Sequence, residues 1–496
     1  MQDAPPACVF SDRMINHFIR NTLLISSFVF LHSAFAAKPP NVLFIAVDDL
    51  RPEIGCYGAA HMKTPHLDAL AAQGMVFERA YCQVAVCNPS RASLLSGTRP
   101  DTTGVLDNQH FMRPQMPDVI SLPQHFKNHG YTSLSLGKIF HHSEREPGDD
   151  PQSWSEPAWY NGKPYRHWFT KESLDYVAKL KALPKDQQPK QLRAAPFEAA
   201  DEPDDVYPDG QTAVKAIETL QRLKAEGKPF FLGVGFVKPH LPFTCPQKYW
   251  DMYPEGSIQL ASNAQRPDDA PEPAFHTNYE LGSYGTVPES GKIPDAMALK
   301  LIRGYRACVS FMDAQMGRVL TELDRLGLRE NTIVVLWGDH GYHLGEHDCW
   351  AKVSLRDESS MVPLLVKVPG KKPAVCHSLV ELIDLYPTLS NLCGLEVPAR
   401  LQGRDLSTLF DDPTRSVRDA AFCVAPSSKG FLLREDRWAY LQYAEDASKG
   451  IELFDMEADP EQYTNLATRP EHQAEVERFQ AKLAAKLAEI RTNDLK

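Results

Sequence analysis

Asn41-Val42-Leu43-Phe44-Ile45-Ala46-Val47-Asp48-Asp49 is the stretch whose reading decides the fold. Val42 to Val47 is apolar without alternation, as in a strand buried on both faces, and two acids close it. Similar strand candidates recur at Tyr131 to Leu136, Phe230 to Phe236 and Thr332 to Trp337. They run into Gly137-Lys138 and His141, Lys238-Pro239-His240, and Gly338-Asp339-His340. Helical patterns lie between them around Pro65 to Ala72, Leu122 to Asn128, Gln211 to Ala225 and Met297 to Leu326. Strands alternating with helices predict an α/β fold, a large mainly parallel sheet sandwiched by helices. Ligands bind outside the carboxyl ends of such strands, so three Asp, three His and two Lys are expected at one edge. Residues 143–209 and 251–295 interrupt the pattern and read as long irregular loops that shape a cleft. From about 413 shorter strand candidates (Ala421 to Val424, Trp438 to Gln442, Ile451 to Phe454) and a helix near 470–492 predict a smaller C-terminal α+β subdomain. The division is 1–37, 38–412 and 413–496.

The first of these pieces is a leader. Leu23 to Phe35 is apolar, Arg13 and Arg20 precede it, and Ala34-Phe35-Ala36 resembles a cleavage site. That order predicts a signal peptide, with Met14 as an alternative start, and an exported protein, periplasmic or secreted. No later run reaches membrane-spanning length, so no membrane span is expected. The 496 residues carry 53 Lys and Arg against 64 Asp and Glu, a net charge of −11. With 43% hydrophobic residues the chain is globular, and its acidity argues against nucleic acid as a partner. Of ten cysteines Cys8 leaves with the leader, so at least one of the remaining nine is unpaired or modified. There is no C-x-x-C to suggest a zinc ribbon, and Gly233-x-Gly235 lacks the third glycine of a dinucleotide loop.

Asp48, Asp49 and Asp339 would repel one another if gathered, so a hard cation, Ca²⁺ or Mg²⁺, is their natural partner. An Asp pair alone is usually a cap or a turn. What lifts this one is Cys87-Asn88-Pro89-Ser90-Arg91, followed by Ala92-Ser93-Leu94-Leu95-Ser96-Gly97. The C-x-P-S-R string resembles the signature of the type I sulfatases of the alkaline phosphatase superfamily. Gly137 to His141, Lys238 to His240, Gly338 to Gly341, Gly345-Glu346-His347 through Lys352, Leu453-Phe454-Asp455, Asp459-Pro460 and Asn465-Leu466-Ala467 resemble its later blocks. Lys138-x-x-His141, Lys238 to Phe243 and Leu379 to Leu389 are most similar to the iduronate-2-sulfatase branch.

The resemblance implies an alkaline phosphatase-like fold and a sulfuric ester hydrolase. It also implies oxidation of Cys87 to Cα-formylglycine by a maturation enzyme, and a sulfated oligo- or polysaccharide substrate, a 2-O-sulfated uronate among the candidates. It makes Asp48, Asp49, Asp339, His340 and the modified Cys87 the Ca²⁺ ligands. Arg91 would hold the hydrated side chain ionised. Lys138, His240 and Lys352 would grip sulfate, with His240 protonating the departing oxygen and His141 taking the proton of the second hydroxyl. Ser96 replaces the family's usual Thr, and Tyr342-His343 departs from the residue types that recognise substrate in iduronate-type members. A phosphonate monoester or phosphodiester hydrolase with the same residues, and a catalytically silent polysaccharide-binding homologue, are the alternatives.

Overall fold

The computed structural model describes residues 38–141, 149–161, 168–275, 280–288, 291–427 and 429–491. The expected leader, 1–37, lies outside them. β1 (Asn41–Val47) takes the interior of an eight-stranded sheet because it is apolar in both directions. Leu43, Ile45 and Val47 enter one hydrophobic cluster, and Val42, Phe44 and Ala46 enter another. The remaining strands are β2 (Met75–Tyr81), β3 (Thr132–Gly137), β4 (Phe230–Phe236), β5 (Thr332–Gly338), β6 (Met361–Lys367), β7 (Ala374–Cys376) and β8 (Val380–Glu381). Their order is β7-β2-β6-β5-β1-β4-β3, with β8 also on β2. Only the β6 pairings are antiparallel, so the mainly parallel sheet is found.

Helices cover both faces. Pro208–Glu226 and Asp295–Arg325 bring Leu220, Leu223, Leu301 and Phe311 against Leu43 and its neighbours. Cys87–Ser96, Leu122–Asn128 and Leu385–Leu392 bring Leu94, Phe126 and Leu389 against Phe44. Each such side chain stabilises by about 1.5–3 kcal/mol when fully buried. The double cover explains why the strands read as unbroken apolar runs.

The C-terminal part is an antiparallel sheet of Ala421–Ala425, Gly430–Arg434, Trp438–Tyr443 and Ile451–Asp455. Val476, Phe479, Leu483 and Leu487 of the helix Gln473–Arg491 cover one face of it, with Phe479 stacked 5.1 Å from Tyr440. Buried Glu381 of β8 receives Phe422 N at 2.7 Å and pairs with Arg99 at 2.6 Å, tying the two sheets. From Pro40 onward the described residues pack as one compact unit. The first insert is less irregular than its composition suggests: it contains the helix Lys171–Ala182 and the strand Phe197–Ala200, parallel to Phe243–Pro246.

Candidate active site

β1 ends in Asp48 and Asp49, both fully buried. Asp49 sits at φ +61°, a left-handed turn that a short polar side chain tolerates better than most. Cys87 is the first residue of the helix Cys87–Ser96 and His340 follows β5. Donor atoms of Asp48, Asp49, Cys87 and His340 all lie within 4.8 Å of one another. Asp339 is turned differently: Oδ2 accepts from Arg91 Nε at 2.8 Å, and Oδ1 from the amides of Asp49 and His340 at 3.0 Å each. It fixes the backbone that carries Asp49 and His340.

Three observations fit a hard cation to this cluster. Asp48 Oδ1 is buried with no hydrogen-bond partner. Burial, then Asp48, Glu280 and Asp339, outweigh Lys352 and drive the Asp49 carboxyl well above the carboxylate range, a strain that an added positive charge would relieve. Asp48 goes the other way: burial opposes ionisation, but Lys138, Arg91 and Lys352 hold it far below. Finally, His340 Nδ1 donates to Gly341 O at 2.9 Å, so Nε2 is the nitrogen turned into the cluster, 3.2 Å from Cys87 Sγ and 3.3 Å from Asp49 Oδ1, where a cation would take the place of a proton.

Basic side chains ring the acids. Lys138 Nζ pairs with Asp48 Oδ2, and Lys352 Nζ lies 2.8 Å from Asp49 Oδ1 and 3.6 Å from Cys87 Sγ. Lys352 is aimed by strained backbone: Ala351 and Val353 on either side have φ +69° and +76°. Fully buried Arg91 gives Nη1 to Lys138 O at 2.5 Å and Ile139 O at 3.0 Å, while its buried Nη2 stands 3.6 Å from Asp48 Oδ1. These bonds brace the Asp339 side chain and the loop after β3. Nδ1 of His141 is buried without a hydrogen-bond partner, and burial, then Lys138 and Arg91, keep the ring neutral. Burial raises the Cys87 thiol well above its ordinary range, so the unmodified residue is a poor nucleophile.

The structure thus gathers Asp48, Asp49, Cys87, Arg91, Lys138, Asp339, His340 and Lys352 in one buried network. His240 is tied to it through Glu280, which contacts both His240 and Lys352. Sequence reasoning passed over Glu280. It also passed over Asp209, whose carboxylate receives the amides of Val237 and Lys238 at 2.8 Å each and so sets the loop carrying His240. Asp209 follows Pro208 at the start of a helix, where an acid is unremarkable. Tyr342 and His343 are fully buried: Tyr342 stacks 5.5 Å from Tyr305, and His343 Nε2 bonds Ser354 Oγ at 2.9 Å.

Residues 40–395 match the family model described as Sulfatase. The chain belongs to the sulfatase family. This sulfatase also matches the model of the C-terminal region of N-sulphoglucosamine sulphohydrolase over residues 345–493. It is 35% identical to iduronate 2-sulfatase of Mus musculus over 483 residues, 90% of this chain and 80% of the relative. A solved protein in complex with its substrate D-glucosamine-2-N,6-O-disulfate superposes with a TM-score of 0.72 at 21% identity, covering 92% of this chain and 99% of the other. The phosphonate monoester hydrolase of Silicibacter pomeroyi shares the fold at a TM-score of 0.70 and 24% identity, over 92% and 96%. The sulfatase is a sulfuric ester hydrolase of alkaline phosphatase-like fold. Among its described residues no helix is long and apolar enough to cross a membrane.

Proposed function

We propose that this sulfatase is exported and removes sulfate from a sulfated oligo- or polysaccharide, with a 2-O-sulfated uronate as the first candidate. The convergence of Asp48, Asp49, Cys87 and His340 under Lys138 and Lys352 carries the proposal. Ca²⁺ and a Cα-formylglycine at position 87 would supply a Lewis acid and an acidified hydroxyl nucleophile. Asp48, Asp49, Asp339, His340 and the modified residue at position 87 would hold the cation, with Arg91 anchoring Asp339 through Oδ2. Lys138 and Lys352 bind sulfate oxygens and offset charge that builds as the ester breaks. His240 gives a proton to the departing oxygen, and neutral His141 takes one at the second half-reaction. Because Cys87 is 1% exposed, conversion by a maturation enzyme must precede folding.

The test combines mass spectrometry of the Cys87 peptide, from a host containing a maturation enzyme, with turnover of 4-nitrophenyl sulfate and phenyl phosphonate. Aldehyde at position 87 and dominant sulfate turnover are expected. Dominant phosphonate turnover would move the protein to the phosphonate hydrolases, and an intact thiol with no turnover to the silent binders. A panel of sulfated disaccharides then reads the sugar.

A further inference from the structure

Glu280 belongs to none of the motif blocks and comes from the insert 251–295, one residue before the turn Leu281–Ser283. Its side chain reaches between two of the groups assigned to the reaction. Oε1 lies 3.4 Å from His240 Nε2, and buried Oε2 lies 3.3 Å from Lys352 Nζ. On His240 the other ring nitrogen is engaged: Nδ1 meets Leu241 O at 2.7 Å, which requires Nδ1 to donate. A carboxylate facing Nε2 is attractive only when Nε2 also carries a proton, so the contact favours a proton there. Arg193 approaches Glu280 from the other insert, 143–209, its guanidinium 4.4 Å from the Tyr284 ring and its Nη1 2.5 Å from Ser283 Oγ.

We propose, on the sulfatase reading above, that Glu280 is a positioning residue that holds His240 Nε2 beside Lys352 and stabilises the proton it donates to the departing oxygen. The ester S–O bond breaks with its electron pair going to that oxygen, the Nε2 proton joins the same oxygen, and the sulfuryl group passes to the attacking oxygen at position 87. His240 is left neutral and regains a proton from solvent. Burial and Lys352, with Lys138, hold His240 well below its ordinary range, and Glu280 is the carboxylate that opposes them, so without it a proton on Nε2 would be held less well still. Glu280 itself stays ionised, because Lys352, His240 and Arg193 outweigh its burial and bring it to about 2.

The experiment is an aryl sulfate series on wild type, Glu280→Gln and Glu280→Asp, from 4-nitrophenyl to 4-methoxyphenyl sulfate. A nitrophenolate departs without help, whereas a methoxyphenolate needs the proton. Glu280→Gln is expected to lose about tenfold more kcat on the methoxyphenyl than on the nitrophenyl ester, with KM changed less than about threefold, and Glu280→Asp to recover part of it. Equal loss across the series, with unchanged melting, would overturn the inference and leave Glu280 structural. A fall in KM with no loss of kcat would also overturn it, and would make the carboxylate an occupant of the sulfate position. Wild type inert to every member of the series overturns the sulfatase reading and this inference together; an active wild type with a flat variant series overturns the inference alone.

Discussion

Asp49 carries opposing demands at one position. It is fully buried, held at φ +61°, and surrounded by Asp48, Asp339 and Glu280, so its carboxyl is driven toward protonation. A cation bound to the folded state alone would reverse that, stabilising by about 2.7 kcal/mol at one hundred times its dissociation constant. Ca²⁺ added to chelator-treated protein should therefore raise the melting temperature by several degrees, and Asp48→Asn should remove most of that rise, read by differential scanning fluorimetry. An equal rise in the variant would place the ion elsewhere. Cys87 is the complementary case. Its thiol is too basic to attack at neutral pH, so Cys87→Ala should lower kcat by roughly 10⁴-fold or more while moving stability by less than about 1 kcal/mol. Activity in a preparation whose Cys87 peptide bears only thiol would contradict the proposed chemistry.

At the scale of elements, strand ends aim these groups, and a glycine makes one of the ends possible. Gly137 closes β3 at φ +70°, and a Cβ there would stand 2.2 Å from Gly235 O on β4. Gly137→Ala should destabilise by roughly 2–4 kcal/mol, from the left-handed backbone and the clash, and should cost activity by displacing Lys138. Urea unfolding measures the first and kcat the second; wild-type values for both would refute the account. β1, β4 and β5 were legible because double burial writes them as unbroken apolar runs. β6 was not, since Met361–Lys367 carries Pro363, which the sheet accepts where the register with β2 shifts between Val362 and Leu364. β2 hides behind Glu78 and Arg79, the two residues at its middle that are not buried. The site shows the same division. Strand order placed Asp339 at the correct edge, but spacing says nothing about which way a carboxylate turns, and it turns to Arg91. Glu280 was illegible for another reason: an insert without periodicity gives no direction to any side chain.

The whole molecule is acidic, yet Arg91, Lys138 and Lys352 are buried together, so the positive charge a sulfate needs is local and screened from the −11 body. The acids themselves set how stability depends on pH, and they divide into two groups. Burial opposes ionisation of Glu53 and Glu381, but Arg51 for the first and Arg418 and Arg99 for the second bring each to about 2. Their folded values lie below their unfolded ones, so their contribution is present above about pH 4.5 and is lost as pH falls toward 2. Asp209 and Asp313 behave oppositely: burial pushes them up to about 6 and about 7, despite the amides each accepts. Folded values above unfolded ones mean that their contribution is complete below about pH 4 and is lost as pH rises through 6 to 7. Melting temperature should peak near pH 4 to 5 and decline as pH rises to about 7. Asp313 caps Pro65–Ala71 through the amides of His66 and Leu67, at 3.2 and 2.7 Å. Asp313→Asn keeps one acceptor and removes the titration. It should lose stability at pH 5, where the wild-type carboxyl is protonated and costs nothing in charge. Between pH 5 and 8 its decline should be shallower than wild type by on the order of 2–3 kcal/mol. Parallel declines in the two proteins would show that Asp313 does not titrate in this range.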